Sequence, residues 1–445
     1  MYVEILSKSP QSSENMPSSR ILPIIPRPPE TGLYFSVRHN DHVVLSRLLA
    51  EEKLTSAGLL FDARNDERHR DLRLQAKQAS IAVWLDTQAM ELALPSGISD
   101  THRALPWASM PTVPGEFTSR SCRIVARQIA EFAVRGEYTG VIAPAHYIDT
   151  NESEWLTIDG ALTRELRLAL NACGGRTIQL IYPLAVHAHA LQNPQFCKQI
   201  VRQLASLPVA IVTLRIHPFG ARSGPQSLRA VVEALRRLKD MHHPFMIERA
   251  GFAGTILFAL GVVTFVEAGV ALGDTFDIGK RIRLEGKSNS TFSRKRIYVE
   301  AIGSTVDIPV AEKLLGSTQG KSRYACRDTH VCCPDGARDM LKDPRRHSVL
   351  TRQREFETLS RVPAMHRANS FVQSVLTPTC DNLFRAADIV DSCQHDHRRM
   401  LSVKETVIAI SAEQLPPKRR RGVEAVRRRP LAQVIPLPLR DPTGR

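Results

Sequence analysis

The sequence predicts an α/β protein, a (β/α)8 TIM-like barrel with a small C-terminal helical appendage that contains a Cys/His group. Three observations predict it. Short apolar runs alternate with amphipathic helical stretches between residues 57 and 302, the rhythm of parallel strands covered by helices. Eight such runs match a closed barrel in number and size. No G-x-G-x-x-G turn follows the first run, which counts against an open doubly wound sheet.

The first two runs are AGLLFD (Ala57 to Asp62) and SIAVWLD (Ser80 to Asp86), with a charged helical stretch, Asp66 to Gln78, between them. After a Pro-punctuated excursion and the helix Ser121 to Arg135 comes GVIAPAHYI, Gly140 to Ile148. The helix Asp159 to Ala172 leads to TIQLIYPLAV, and Pro194 to Ala205 leads to PVAIVTLRIH. Pro225 to Leu238 precedes PFMIER, the sixth run, Pro244 to Arg249. Val262 to Glu267 supplies the seventh, and RIYVEAI (Arg296 to Ile302) the eighth. Leu33 to Val37 reads as one more short strand ahead of the barrel rhythm.

The stretch Ala250 to Asp277 is the most apolar of the chain and admits two readings. As one helix over 250–273 it is long enough for a membrane span, which needs roughly 20 apolar residues. Five glycines and Glu267 interrupt it, and β-branched residues gather in its second half. That favours a short helix, a break at Gly261 and a buried strand.

Four segments follow. Residues 1–30 form a flexible Pro-rich arm, 31–309 the barrel, 310–411 the helical appendage and 412–445 a disordered basic tail. The formal net charge is +15, and about half of it lies in residues 416–445, where nine Lys and Arg face two acids. Nucleic acid is therefore a permitted partner of the body, and the tail's KRRR and RRR blocks can meet phosphates. Eight cysteines without regular pairing, and a polar start without a signal-like run, point to a reducing cytoplasm.

In such a barrel the chemistry sits at the C-terminal ends of the strands. The polar residues ending the runs are Asp62, Asp86, His146, Tyr182, His217, Glu248, Arg249 and Glu267, with the pair Asp274 and Asp277 beyond the last. Carboxylates on apolar strands are costly to bury, so several together exceed what packing needs. For any one of them a local ion pair is the simpler account, as between Asp62 and Arg64. Two aspartates at a barrel mouth can divide the work, one attacking a sugar carbon and one moving a proton.

The run GDTFDIGKRIR, Gly273 to Arg283, resembles the D-x-F-D motif of the tRNA-guanine transglycosylase family, with basic residues following. WLDTQAMEL sets Asp86 and Gln88 where that family carries its early D-S-G-G-F-Q motif, without the two glycines. The resemblance implies a (β/α)8 barrel that exchanges a base through an aspartyl-sugar intermediate. It places the nucleophile on Asp277 and the acid/base on Asp86. In this transglycosylase-like reading Asp62, Gln88, His146, His217, Glu248 and Asp274 meet the base or substrate, and Arg281 and Arg283 meet phosphate.

The family also carries a zinc subdomain. Here Cys326, Cys332, Cys333 and His347 are four soft-to-borderline ligands within a short span, enough for a structural zinc. His330 is a rival fourth ligand, and a buried cysteine pair is the plain alternative. Two other function classes remain open. His187, His189 and His217 could make a metal-dependent hydrolase, or the chain could be a non-catalytic nucleic-acid-binding or membrane-associated protein.

Overall fold

The computed structural model describes residues 31–38, 40–94, 100–150, 154–270, 273–279 and 295–414. The expected arm (1–30), the tail beyond 414, and Arg281 and Arg283 lie outside the described residues.

Eight parallel strands close on themselves: β1 (Gly32–Val37), β2 (Gly58–Asp62), β3 (Ala82–Asp86), β4 (Gly140–Ile142), β5 (Gln179–His187), β6 (Ile211–His217), β7 (Phe245–Ile247) and β8 (Phe265–Gly269). Closure is made where β8 returns to β1, Glu267 standing opposite Tyr34, and where β4 meets β5, Ile142 opposite Ile181. Helices α1 (Asp41–Ala50), α2 (Arg70–Gln78), α3 (Ser119–Arg135), α4 (Trp155–Ala172), α5 (Pro194–Leu204), α6 (Pro225–Leu238) and α7 (Phe252–Ala259) run between the strands. The starts of α3 and α5 are written locally. Thr118 and Ser121 make a reciprocal capping box, and Asn193 caps a helix whose first residue is Pro194.

The barrel is as predicted, but one strand is exchanged. The eighth strand is β1, not Arg296 to Ile302. The latter run is a strand, β9 (Arg296–Val299), paired antiparallel with β10 (Ser304–Asp307) in a hairpin outside the barrel. Alternation of side chains reveals a strand, whereas hydrogen-bonding partners are chosen by the packed fold. The stretch 250–277 breaks as expected, into α7, a turn at Gly261 and β8. No helix among the described residues is long and apolar enough to cross a membrane.

One residue from each barrel strand meets in the lumen: Tyr34, Leu60, Trp84, Ile142, Ile181, Ile211, Met246 and Phe265. The strand pleat turns every second side chain to the same face. Two residues further on therefore come Ser36, Asp62, Asp86, Thr213, Glu248 and Glu267, facing the same interior. An apolar plug fills the lower half of the lumen, and a charged layer lies above it at the C-terminal mouth.

Beyond the hairpin the chain is helical: α8 (Ile308–Leu314), α9 (Thr318–Tyr324), α10 (Ala337–Lys342), α11 (Pro344–Ser360), α12 (Ala364–Phe371), α13 (Thr377–Ala387) and α14 (Ser392–Gln414). Between α10 and α11 the chain breaks at Asp343, whose carboxylate caps α11 ahead of Pro344. The longest helix here, α14, had no counterpart in the sequence reading, because its residues are polar around most of the turn.

Candidate functional site

Arg215 organises the charged layer. It lies on the inward face of β6, only 2% exposed. Its Nη2 donates to Asp86 Oδ2 at 2.7 Å and its Nε to Glu248 Oε2 at 2.8 Å, joining β3, β6 and the end of β7. Burial works against its charge, but Asp86 and Glu248 hold the guanidinium well above its usual range. Asp86 Oδ1 accepts the Gln88 N–H at 3.0 Å, a turn possible because Gln88 takes a left-handed backbone, φ +57°. Glu267 accepts the Arg249 N–H at 2.7 Å.

Two buried carboxylates, Asp86 and Glu248, share the one Arg215 guanidinium, and Glu267 is buried close enough to Glu248 to feel its charge. Burial raises Asp86, Arg215 pulls it back, and Glu91 and Glu248 raise it further. Burial also raises Glu267, with Glu248 adding to the rise. Asp86 and Glu267 are thereby biased towards their protonated forms, the usual way of arming an acid/base group.

The chain passes over this layer at residues 273–279. Thr275–Phe276 pairs antiparallel with Phe219–Gly220, just past the end of β6. Asp277 Oδ1 then stands 3.7 Å from His217 Nδ1, with the Asp277 side chain 36% exposed. The Ile278 N–H donates to the same Nδ1 at 3.2 Å. Met90, Ala185, Phe276 and Ile278 form one apolar wall, with Tyr147 packed against it. Arg249 lies 5.8 Å over the Phe276 ring and 3.8 Å from Glu91.

The other expected residues separate into different surroundings. Asp62 is held by Arg64, whose Nε lies 2.9 Å from Oδ1, and caps the turn Ala63–Asn65. His146 is buried outside the lumen, its Nδ1 2.6 Å from Asp159 Oδ1 and its ring stacked at 3.7 Å on Trp155. Tyr182 points out of the barrel with its neighbours in the outer core. Both Asp274 oxygens are committed, one accepting the Thr305 hydroxyl at 2.6 Å and one 3.6 Å from Arg352. His187 stands beside His217 across β5 and β6, with ring centroids 5.3 Å apart. His187 Nδ1 accepts the His189 N–H, and these three histidines do not converge at metal-ligand spacing.

Arg215 and Glu91 were missing from the sequence reading. A signal for Arg215 was present: Thr213, Arg215 and His217 share the inward phase of an otherwise apolar strand. Glu91 lies on the one-turn helix Ala89–Leu92 and has no periodic signature.

The Cys/His group is assembled as expected. Ligand atoms of Cys326, Cys332, Cys333 and His347 lie within 4.8 Å of one another, all four residues buried, and the group can hold a metal ion. Among the described residues it is the one such group. His347 fits the part of ligand, because its Nε2–H donates to the Tyr298 carbonyl at 2.9 Å and leaves Nδ1 facing the sulfurs. That nitrogen is 3.4 Å from each of Cys332 Sγ and Cys333 Sγ. Hydrogen bonds from Cys332 and Cys333 push the Cys326 thiol far down, while Cys332 itself is pushed up to about 12 by its bond to Cys326. His330 sits on the exposed loop, its N–H bonded to the Asp328 carboxylate, and is not part of the group.

No protein-family model and no curated protein matches this chain. Among solved structures, a family 26 β-mannanase from Bacteroides ovatus shares 8% identity, over 57% of this chain and 83% of that one, with a TM-score of 0.35. A 3-dehydroquinate dehydratase from Enterococcus faecalis shares 9%, over 55% and 91%, with a TM-score of 0.33. The barrel itself rests on the strand order given above.

Proposed function

We propose that the protein is a transglycosylase-like enzyme that exchanges a base in a nucleic acid or nucleoside through an aspartyl intermediate. The observation that carries this reading is that two different carboxyl groups, one from β3 and one from the 273–279 segment, are held by neighbouring inward-facing residues of β6. Asp86 is bonded to Arg215, and Asp277 faces His217, two residues further along the same strand face. One carboxyl is buried and biased towards its proton; the other is half-exposed where a substrate can reach it.

The roles follow from those positions. The Asp277 carboxylate attacks the sugar C1′ as the C1′–N bond to the base breaks. The bond's electron pair leaves with the base, which takes the proton of Asp86. The incoming base then gives its proton to Asp86 as its nitrogen displaces Asp277 and restores the carboxylate. Arg215 holds Asp86 in place and stabilises it once ionised. The wall of Met90, Ala185, Phe276 and Ile278 suits the flat face of a base. His217 orders the attacking segment through the Ile278 amide.

The Cys/His centre would hold zinc through three sulfurs and His347 Nδ1, where the ion ties elements together and takes no part in the reaction. All eight cysteines are free thiols, which suits a reducing cytoplasm.

The test is incorporation of radiolabelled guanine into bulk tRNA, duplex DNA or free nucleosides by the purified chain. Wild type is expected to label one of these, with the loss in Asp277→Asn about a thousandfold or more. A labelled substrate mass adduct should appear on wild type and be absent from that variant. Full activity of Asp277→Asn, or no labelling of any substrate by wild type, overturns the reading.

A further inference from the structure

Asp277 stands on a segment, 273–279, that must be held still for its carboxylate to be useful. We infer that Asp274 and Arg352 are positioning residues that fasten this segment to the Cys/His centre, so that a metal ion there orders Asp277 at the barrel mouth. The part given to Asp277 rests on the proposed function; the fastening stands on contacts alone.

The contacts run without a gap. His347 donates to the carbonyl of Tyr298 on β9, and the Arg352 guanidinium lies 3.8 Å over the Tyr298 ring. Thr305 on β10 stands directly opposite Tyr298 in the hairpin register. Thr305 and Arg352 then take the two oxygens of Asp274, at 2.6 Å and 3.6 Å. Arg352 and His347 share α11, so the helix that supplies a ligand also supplies the clamp. The barrel grips the backbone of the same residue, the Ala221 N–H donating to the Asp274 carbonyl at 2.7 Å.

Two glycines show that the approach is built. Gly251 has φ +52°, and a Cβ there would meet Asp274 Cβ at 2.7 Å. At Gly220 a Cβ would meet the Asp274 carbonyl oxygen at 2.5 Å. Asp274 therefore sits in a slot cut for it on the barrel side and is closed in by two polar groups from the appendage side. Three residues later comes Asp277.

The metal enters because thiol contacts alone are weak. Coordinate bonds fix the His347 ring, and with it the Tyr298 carbonyl and the hairpin that carries Thr305. A bound ion, the hairpin and the Asp274 clamp thus act in series on a carboxylate that none of them touches.

The experiment is hydrogen exchange, read by mass spectrometry on peptides covering 273–279 and 295–307, with zinc content measured alongside. The full chain is compared as purified, after chelation and after zinc is restored. Chelation should speed exchange in both peptides, and zinc should reverse it. Arg352→Met and Asp274→Ala should keep their metal and the protection of 295–307, yet exchange about tenfold or more faster at 273–279. Arg352→Lys, which keeps the charge, should recover most of the loss. Unchanged exchange at 273–279 after chelation, or in either metal-loaded variant, overturns the inference; if one variant fails to fold, the other decides. No readout here uses base exchange, so a wild type that labels no nucleic acid would sink the proposed function and leave this result to stand or fall separately.

Discussion

The barrel mouth and the Cys/His centre are both buried polar clusters, and they solve the same problem in opposite ways. At the mouth, Asp86 from β3 and Glu248 from the end of β7, far apart in the chain, meet Arg215 on β6, and burial biases Asp86 towards its proton. In the centre, four ligand groups within residues 326–347 face each other, and a cation can take the place between them. A proton can be given up and regained during a reaction, whereas a coordinated ion stays. The difference separates a place suited to chemistry from one suited to holding the fold.

Removing the ion's ligands should have the largest effect. Cys332→Ser with Cys333→Ser should lower the metal content from about one per chain, as a single four-ligand site holds, to none. The melting temperature should fall further than for any substitution at the mouth. Elemental analysis and a thermal scan check both, and a double variant that keeps its metal would erase the contrast.

Next comes Arg215→Met. It leaves Asp86 and Glu248 buried with no counter-charge, a loss of about 3–5 kcal/mol read by urea unfolding at neutral pH. Adding Asp86→Asn should recover part of it, since one buried charge is then removed. A neutral result for the single variant would mean that the carboxyls are already protonated without Arg215.

The smallest effect sharpens the boundary between the two regions. Glu355 is half-buried against the hairpin, accepts the Tyr298 hydroxyl at 2.8 Å, and is raised to about 7, by loss of solvent first, against the pull of Arg352. A raised carboxyl stabilises the fold while protonated. That contribution is complete below its ordinary value of 4.5 and is lost as pH rises through about 7. Urea unfolding of wild type should therefore weaken by about 1–3 kcal/mol between pH 5 and 8 relative to Glu355→Gln. Equal slopes for the two proteins would refute it.

Much of both clusters was legible beforehand. The acids ending the strand runs stood out because a carboxylate on an apolar strand is expensive, and Cys326, Cys332, Cys333 and His347 because they lie close in the chain. Arg215 was overlooked because one cation inside a strand resembles an edge or surface position until the pleat phase of its neighbours is fixed. Asp62 and Asp274 could not be sorted from Asp86 by type or spacing. Their partners, Arg64 for the one and Thr305 with Arg352 for the other, are matters of geometry.

The sequence by itself determined the alternation of strand and helix, hence the barrel, and which residue types could reach its mouth. Periodicity is local, and it survives in the chain whatever the partners. The tertiary structure alone decided that Gly32–Val37 closes the barrel while Arg296–Val299 leaves it. It also decided that Asp86 and Glu248 share Arg215 and that Asp274 is a clamp. Each of those outcomes depends on which of several similar strands or charges come to lie side by side, and that is set by packing the whole chain at once.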